Sequence, residues 1–392
     1  MVELCVVYLF FLWRLFDFAI AFVIPRFIPY LGFFPYGEIL KEYGLPQFVS
    51  AFANFDGAQY LTLVREGYNT YTQAYFPLYF LLVRLFSFFL PTPHSPRPYN
   101  DLLSGLIVSN GFFAVGVFVF KKYLSLILPN KSNSVFWTVL FLFIFPTSFF
   151  FGAVYTEGLF FFLFVLSLFF LKKKKYPLAG ICAGLCSATR LMGVFLVVPF
   201  TLHFLDSKTL VSWKRALSKY KFKKKHLVIL SPFAGLGLYM TYLWVTVGDP
   251  LFFFNAQPVF GANRSTNIIF LPQVIYRYLK IFLTARFNFQ YAVSLLEFVI
   301  FSFVLILLVA DLFKHRKNTD RLGLSLFSFI NLLLPTLTGT LSSIPRYALF
   351  SISLFLFLGE INNKFVKCTI AFVFFLLHAV LLGFFVQGYF IG

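Results

Sequence analysis

Apolar residues in this chain come in long unbroken blocks, separated by short polar stretches that carry most of the charge. About 20 apolar residues wound as a helix cross the ~30 Å hydrocarbon layer of a bilayer. Barrel strands would instead alternate apolar and polar positions over about ten residues. The blocks at 4–24, 102–120, 134–150, 157–171, 177–189, 192–205, 227–246, 290–311, 322–339, 346–361 and 367–389 therefore predict an all-α polytopic membrane protein with about eleven transmembrane helices. The pair 177–189 and 192–205 is short, because Ser187-Ala188-Thr189-Arg190 interrupts it. The block 76–90 is also short, opens with Phe76-Pro77 and carries Arg84, so it is expected to lie at the interface or re-enter rather than cross. The run from Cys5 to Ile24 lacks a basic leader and a small-residue cleavage site, and is expected to be a retained first helix.

Composition agrees with this pattern. Only 12% of the residues are charged, against about 25% in soluble proteins. The net charge of +19 could suggest nucleic acid, but the bases sit in short clusters between apolar blocks. These are Lys121–Lys122 with Lys131, Lys172 to Lys175, Lys208 to Lys225, Lys314 to Arg321, and Lys364 with Lys367. Such clusters mark cytoplasmic loops. The expected topology has the N-terminus inside and the C-terminus outside, with three outer segments: 25–101, 247–289 and 340–346. The chain reads as one transmembrane unit over 1–392, with no separate soluble domain and no internal repeat. The four cysteines fall in or beside apolar runs without zinc-site spacing and are expected to pack. The count of 62 phenylalanines is high, but Phe is an ordinary lipid-facing residue, and the count reflects genome composition as much as function. Arg14 and Asp17, three apart in the first helix, can pair with each other.

Acids are scarce, which narrows the search for chemistry. On this topology the outer ones are Glu38, Glu42, Asp56, Glu66, Asp101, Glu157 and Asp249. Asp56 stands in Asn54-Phe55-Asp56-Gly57-Ala58-Gln59-Tyr60, before a short amphipathic helix, with Ala74-Tyr75-Phe76-Pro77-Leu78-Tyr79 further on. An Asp just past the first helix, then Gly67-Tyr68 and a Phe-Pro-Leu-Tyr stretch, resembles the GPI mannosyltransferase 2 family and its prokaryotic relatives. Further along, Tyr155-Thr156-Glu157-Gly158 resembles that family's Tyr-Ser-Glu-Ser segment. Thr189-Arg190-Leu191-Met192-Gly193 is similar to its Thr-Arg-x-x-Gly turn, and Gly248-Asp249-Pro250…Gln257 to its Gly-Asp-Pro…Gln stretch. Pro345-Arg346-Tyr347 resembles a late-loop Arg-Tyr of the wider GT-C class. The matches run in order along much of the chain, although Phe55 stands where the family often has Trp.

The resemblance implies a GT-C-like fold and a membrane enzyme using a polyprenyl or dolichyl phosphate sugar, with mannose the expected sugar. The acceptor would be lipid-linked or a glycolipid, and the first loop extracytoplasmic. Inverting transfer needs one carboxylate to take the acceptor's hydroxyl proton, and Asp56 is the expected base. The leaving lipid phosphate needs cationic stabilisation, which Arg346, with Arg190 as the alternative, can supply. Glu157, Gln59, Asp249 and Gln257 are expected to position the acceptor. No metal motif is visible and no cofactor is expected beyond the lipid-phosphate donor; an arginine could take a metal's place. Membrane lipid, donor and acceptor are the expected partners, with no nucleic acid. Short loops and Lys- and Phe-rich composition favour a prokaryotic plasma membrane over the ER. Each residue also has a plainer reading: Asp56 as a helix cap, Arg190 as a snorkelling base, Asp249 as a turn former. A transporter or lipid flippase, or an assembly subunit, are the competing classes; a transporter would show broken helices with charges at mid-span.

Overall fold

The computed structural model describes residues 2–32, 34–35, 37–90, 97–205, 223–260 and 267–391. Most of the basic run from Lys208 to Lys225, and residues 91–96 of the first outer segment, lie outside the described residues. Among those described there is helix and no strand. Five helices are long and apolar enough to cross a bilayer: Val6–Arg26, Pro98–Ile127, Phe289–His315, Thr319–Thr338 and Lys364–Val386. The pair Lys224–Leu230 and Pro232–Val247, bent by 51°, makes a sixth if taken as one span. The protein is a multi-pass membrane protein.

Of the other expected crossings, 157–171 and 177–189 are helical throughout, while the rest contain less regular helix than expected. Ser132–Ile144 has 13 residues, or about 20 Å at 1.5 Å per residue. Beyond it, the stretch expected to continue as helix to 150 turns at Pro146 and re-forms only as a 3-10 turn, Ser148–Phe151. Tyr176–Thr189 stops at Arg190, whose backbone is extended, and the chain resumes as a 3-10 segment, Leu191–Leu196, before Val197–His203. Past Leu333 the backbone tightens into a 3-10 turn at Pro335–Thr338. The expected span 346–361 is broken into Ile344–Tyr347, Ala348–Phe350 and Ile352–Gly359. Backbone outside a helix is tolerated at membrane depth only when protein shields it, and here it is shielded: residues 145 to 156 are all buried. Their carbonyls find partners on other helices. Gly152 O accepts from Arg14 Nη2 and from Asn110 Nδ2, both at 3.0 Å.

The phenylalanines divide between two environments. Phe11, Phe313 and Phe372 are exposed on the outer surface, where lipid is expected, while Phe113, Phe120, Phe141, Phe149 to Phe151, Phe160 and Phe164 are fully buried. Phe113 and Phe151 stack with ring centres 4.3 Å apart. Helices also approach through glycine. A Cβ on Gly235 would lie 2.0 Å from Gly184 O, and one on Gly158 would lie 2.3 Å from Ser109 O. Only a residue without a side chain allows these helices so close.

The charges separate by end. At one end Lys131 pairs with Glu360 at 2.9 Å, Lys172 with Asp320, and Arg321 with Asp311, while His315 and Arg321 each lie 3.4 Å from Glu360. The helix Glu157–Lys172 starts at the opposite end and reaches this cluster after 16 residues, about 24 Å. The Pro77–Phe88 helix has 12 residues, about 18 Å and short of a crossing. Its Arg84 donates to Val64 O at 2.7 Å and Leu63 O at 3.0 Å, capping the last carbonyls of the helix Asp56–Glu66.

Candidate active site

The helix breaks converge on one cavity of about 430 Å³, at the end away from the basic cluster. Asp56, Glu157, Arg190, Arg346 and Gln257 all line it. Asp56 and Glu157 are each the first residue of a helix, where free backbone N–H groups favour negative charge. Asp56 is not the cap of its helix. That position belongs to Phe55, which has a positive φ of 56°. For a phenylalanine this backbone costs on the order of 1–3 kcal/mol, and such strain collects at functional sites. Ser343, three residues before Arg346, has φ 65°.

Several hydrogen bonds fix the segments that present these side chains. Tyr155 donates to Asn54 O at 2.8 Å and Asn54 donates to Phe385 O at 2.8 Å. Thr147 donates to Pro345 O at 2.7 Å, and Asn331 to Tyr347 O at 2.6 Å. The outer helix Leu271–Thr284 holds the connection leading to Arg346: Arg277 donates to Gly339 O at 3.0 Å and Leu341 N donates to Tyr278 Oη at 3.0 Å. Tyr278 in turn donates to the buried Glu297 at 2.6 Å.

The charged groups form a chain. Arg346 Nη1 donates to Asp56 Oδ2 at 2.7 Å, and its Nε lies 3.5 Å from Glu157 Oε1. Arg190 donates to the same Glu157 oxygen, and to Thr156 Oγ1 at 3.0 Å. Tyr75 donates to Asp56 Oδ1 at 3.1 Å. Burial opposes the charge on Arg346, but Asp56 and Glu157 outweigh it and hold its pKa well above the ordinary arginine value. Arg190 is raised as well, with Glu157 overcoming burial. Burial pushes the Tyr75 hydroxyl well up, and Asp56 adds to this, so Tyr75 acts as a donor. The Asp56 side chain is 30% exposed whereas Glu157 has no exposed surface. Asp56 can meet a substrate; Glu157 holds two guanidinium groups from behind.

Two expected residues lie elsewhere. Gln59 is half-buried but not part of the cavity wall; Asp56 and Tyr60, four apart on one helix face, are. Asp249 accepts from Leu251 N at 2.9 Å and Asn255 Nδ2 at 2.7 Å, which is the turn-forming role. Of the scarce outer acids, Asp56 and Glu157 line the cavity; Asp101 is buried against Ser87 at 2.6 Å instead. Tyr75, Tyr155 and Thr156 were inside the quoted motifs but carried no expected role. Beside the charges, Phe76, Leu191, Met192, Phe253, Ile268, Leu334 and Phe390 give the cavity an apolar wall. Among the described residues, no group of three or more His, Cys, Asp or Glu side chains is placed to hold a metal ion.

No family model and no curated protein matches the chain. Among solved structures it is similar to the oligosaccharyltransferase of Archaeoglobus fulgidus in its apo form, with 13% identity and a TM-score of 0.41, over 81% of this chain and 48% of that one. It is also similar to that enzyme tethered by a disulfide bond to an acceptor peptide containing the NVT sequon, with 10% identity and a TM-score of 0.46, over 99% of this chain and 55% of that one. The chain spans about half the length of these structures. At this distance the chemistry has to be read from the cavity's own side chains.

Proposed function

We infer that the protein is a membrane glycosyltransferase of the GT-C class. It moves one sugar, mannose by the resemblance of its motifs, from a polyprenyl or dolichyl phosphate carrier to a lipid-linked or glycolipid acceptor. The observation that carries this reading is the contact of 2.7 Å between Arg346 and the partly exposed Asp56 on the wall of a cavity that is charged on one side and apolar on the other. An amphiphilic donor suits such a cavity: an isoprenoid chain against the apolar wall, a phosphate at the arginines.

Asp56 takes the proton as the acceptor oxygen attacks the anomeric carbon from the face opposite the phosphate. The bond from that carbon to the phosphate oxygen breaks, and its electron pair leaves with the phosphate. Arg346, backed by Arg190, stabilises that developing charge; both guanidiniums are largely buried, where such contacts count most. The configuration at the anomeric carbon inverts. The basic end of the molecule is cytoplasmic by the positive-inside rule, so the cavity opens on the extracytoplasmic or lumenal side.

The test is transfer in reconstituted vesicles. Purified protein, given radiolabelled mannosyl polyprenyl phosphate and extracted membrane lipids, should yield a labelled glycolipid with inverted linkage. Asp56→Asn should slow this roughly 10²–10⁴-fold. Vesicles that transfer no hexose from polyprenyl phosphate but move a solute across the bilayer would replace this reading with the transporter.

A further inference from the structure

Four charged side chains face one another in the cavity, and their charges cancel: Asp56 and Glu157 against Arg190 and Arg346. They are not equally committed. Glu157 is fully buried and in contact with both guanidiniums. Arg346 is almost as buried, and its Nη1 donates outward to Asp56, which is the exposed member of the set. On its other side Asp56 is held by Tyr75, whose backbone carbonyl accepts from Tyr68 at 2.8 Å and from Tyr239 at 3.3 Å. The base candidate is therefore fastened by a tyrosine and also by the arginine that the reaction needs.

We propose that Asp56 holds the Arg346 donor that a substrate phosphodiester requires, so that binding of the phosphate and release of the base are a single event. This rests on the reading given under Proposed function and adds to it how the site is controlled. An aspartate bonded to a guanidinium is a poor proton acceptor, because the pair stabilises the charged carboxylate. When a phosphodiester takes over Arg346 Nη1, Asp56 loses its cationic partner and gains an anionic neighbour. Both changes raise its affinity for a proton. Tyr75 keeps the carboxylate in place while this happens and is a positioning residue. The charges balance through the reaction. The donor brings one negative charge and Asp56 holds another; the acceptor's proton then neutralises Asp56, and the departing phosphate monoester carries both. An acceptor hydroxyl arriving before the donor finds Asp56 still paired, so donor binding comes first.

The consequence is a variant that should bind better while working worse. Farnesyl phosphate, with farnesol and inorganic phosphate as controls, is titrated calorimetrically into the detergent-solubilised full chain. Asp56→Asn removes the internal competitor and should tighten farnesyl phosphate binding about tenfold, the worth of one hydrogen bond to a charged group. Asp56→Ala should do the same and gives the answer if the Asn variant fails to fold. Arg346→Gln should abolish the gain when combined with Asp56→Asn. Inorganic phosphate should bind more weakly than farnesyl phosphate in every variant; equal affinity would mean that a free anion, not a lipid, is the ligand. Tyr75→Phe should lower kcat with little change in donor KM, and Tyr75→Trp should not restore it. If farnesyl phosphate binds Asp56→Asn and Asp56→Ala no more tightly than wild type, the shared donor is wrong. That result, together with lost transfer in Asp56→Asn, leaves Asp56 as a base and removes only its control. Retained transfer in Asp56→Asn instead removes the base itself.

Discussion

Arg346 reaches both cavity carboxylates, with Nη1 at 2.7 Å from Asp56 and Nε at 3.5 Å from Glu157. Glu157 also accepts from Arg190, so one buried acid sets the position of both guanidiniums. This separates the two acids by role. Glu157→Gln keeps the shape and removes the charge that anchors the arginines. Transfer should fall about tenfold, at least an order of magnitude less than for Asp56→Asn. Initial rates for the two variants side by side check this. A larger loss at Glu157 than at Asp56 would exchange their roles.

Tyr278 lies outside the cavity yet ties the outer helix to the connection that carries Arg346. Tyr278→Phe removes the donor to Glu297 and the acceptor for Leu341 N. Leaving buried polar groups unpaired costs about 1–3 kcal/mol, and here it would loosen residues 339–343. The expected outcome is a lower melting temperature together with weaker farnesyl phosphate binding. Thermal unfolding in detergent and the calorimetric titration measure the two effects on the same sample. Glu297→Gln retains an acceptor for Tyr278 and should be milder in both.

Gly235 and Gly237 provide a matched pair two residues apart. A Cβ on Gly235 would meet Gly184 O at 2.0 Å and Ala188 N at 2.5 Å, while one on Gly237 meets nothing within 4 Å. Gly235→Ala should destabilise the protein by about 1–3 kcal/mol, because backbone cannot yield as a side chain can. Gly237→Ala should not lower the melting temperature and should raise it slightly, because Ala is the better helix former by roughly 1 kcal/mol. The helix that Gly235 presses against ends at Arg190, so the first substitution should also reduce transfer.

Topology is open to a direct check. Asn69 follows the helix that begins with Asp56, and Lys223 lies at the edge of the basic run. Single cysteines at these positions in a cysteine-free background should react with an impermeant maleimide from opposite sides of the membrane. Labelling of both from one side would overturn the orientation.

How far the sequence could be read follows from what each residue must do. Asp56, Glu157, Arg190 and Arg346 stood out because charge is rare in this chain, and each sits beside Gly, Pro or Thr in a motif that interrupts apolar sequence. The place of the long helices followed from hydropathy for the same reason. The breaks were harder to see. Phe145 to Val154 stays almost wholly apolar although it is not regular helix, because burial in protein asks for the same residues as burial in lipid. Pro146 and Pro335 were the available signals. Gln59 and Asp249 matched a motif but not a direction, and direction depends on packing that a linear pattern does not carry. The Arg14–Asp17 pair was legible; its third member was not. His378 bonds Asp17 at 2.7 Å from the far end of the chain and reaches Ser148 at 3.0 Å on its other nitrogen.

The interrupted spans also bear on how the chain enters the membrane. Segment 134–150 is uncharged and apolar except for Ser134, Thr138, Thr147 and Ser148, yet the regular helix Ser132–Ile144 covers it only as far as residue 144. Insertion and folding judge the segment at different times. The insertion machinery meets one segment at a time and weighs its hydrophobicity over a length near 20 residues; helices associate afterwards. An apolar tail that later unwinds inside the protein satisfies the first step as a helix and the second as buried packing behind the cavity, where Phe150 lies against Arg346. A polar substitution in that tail can therefore fail in biogenesis, leaving too little protein to assay, even where the finished structure would have accepted it.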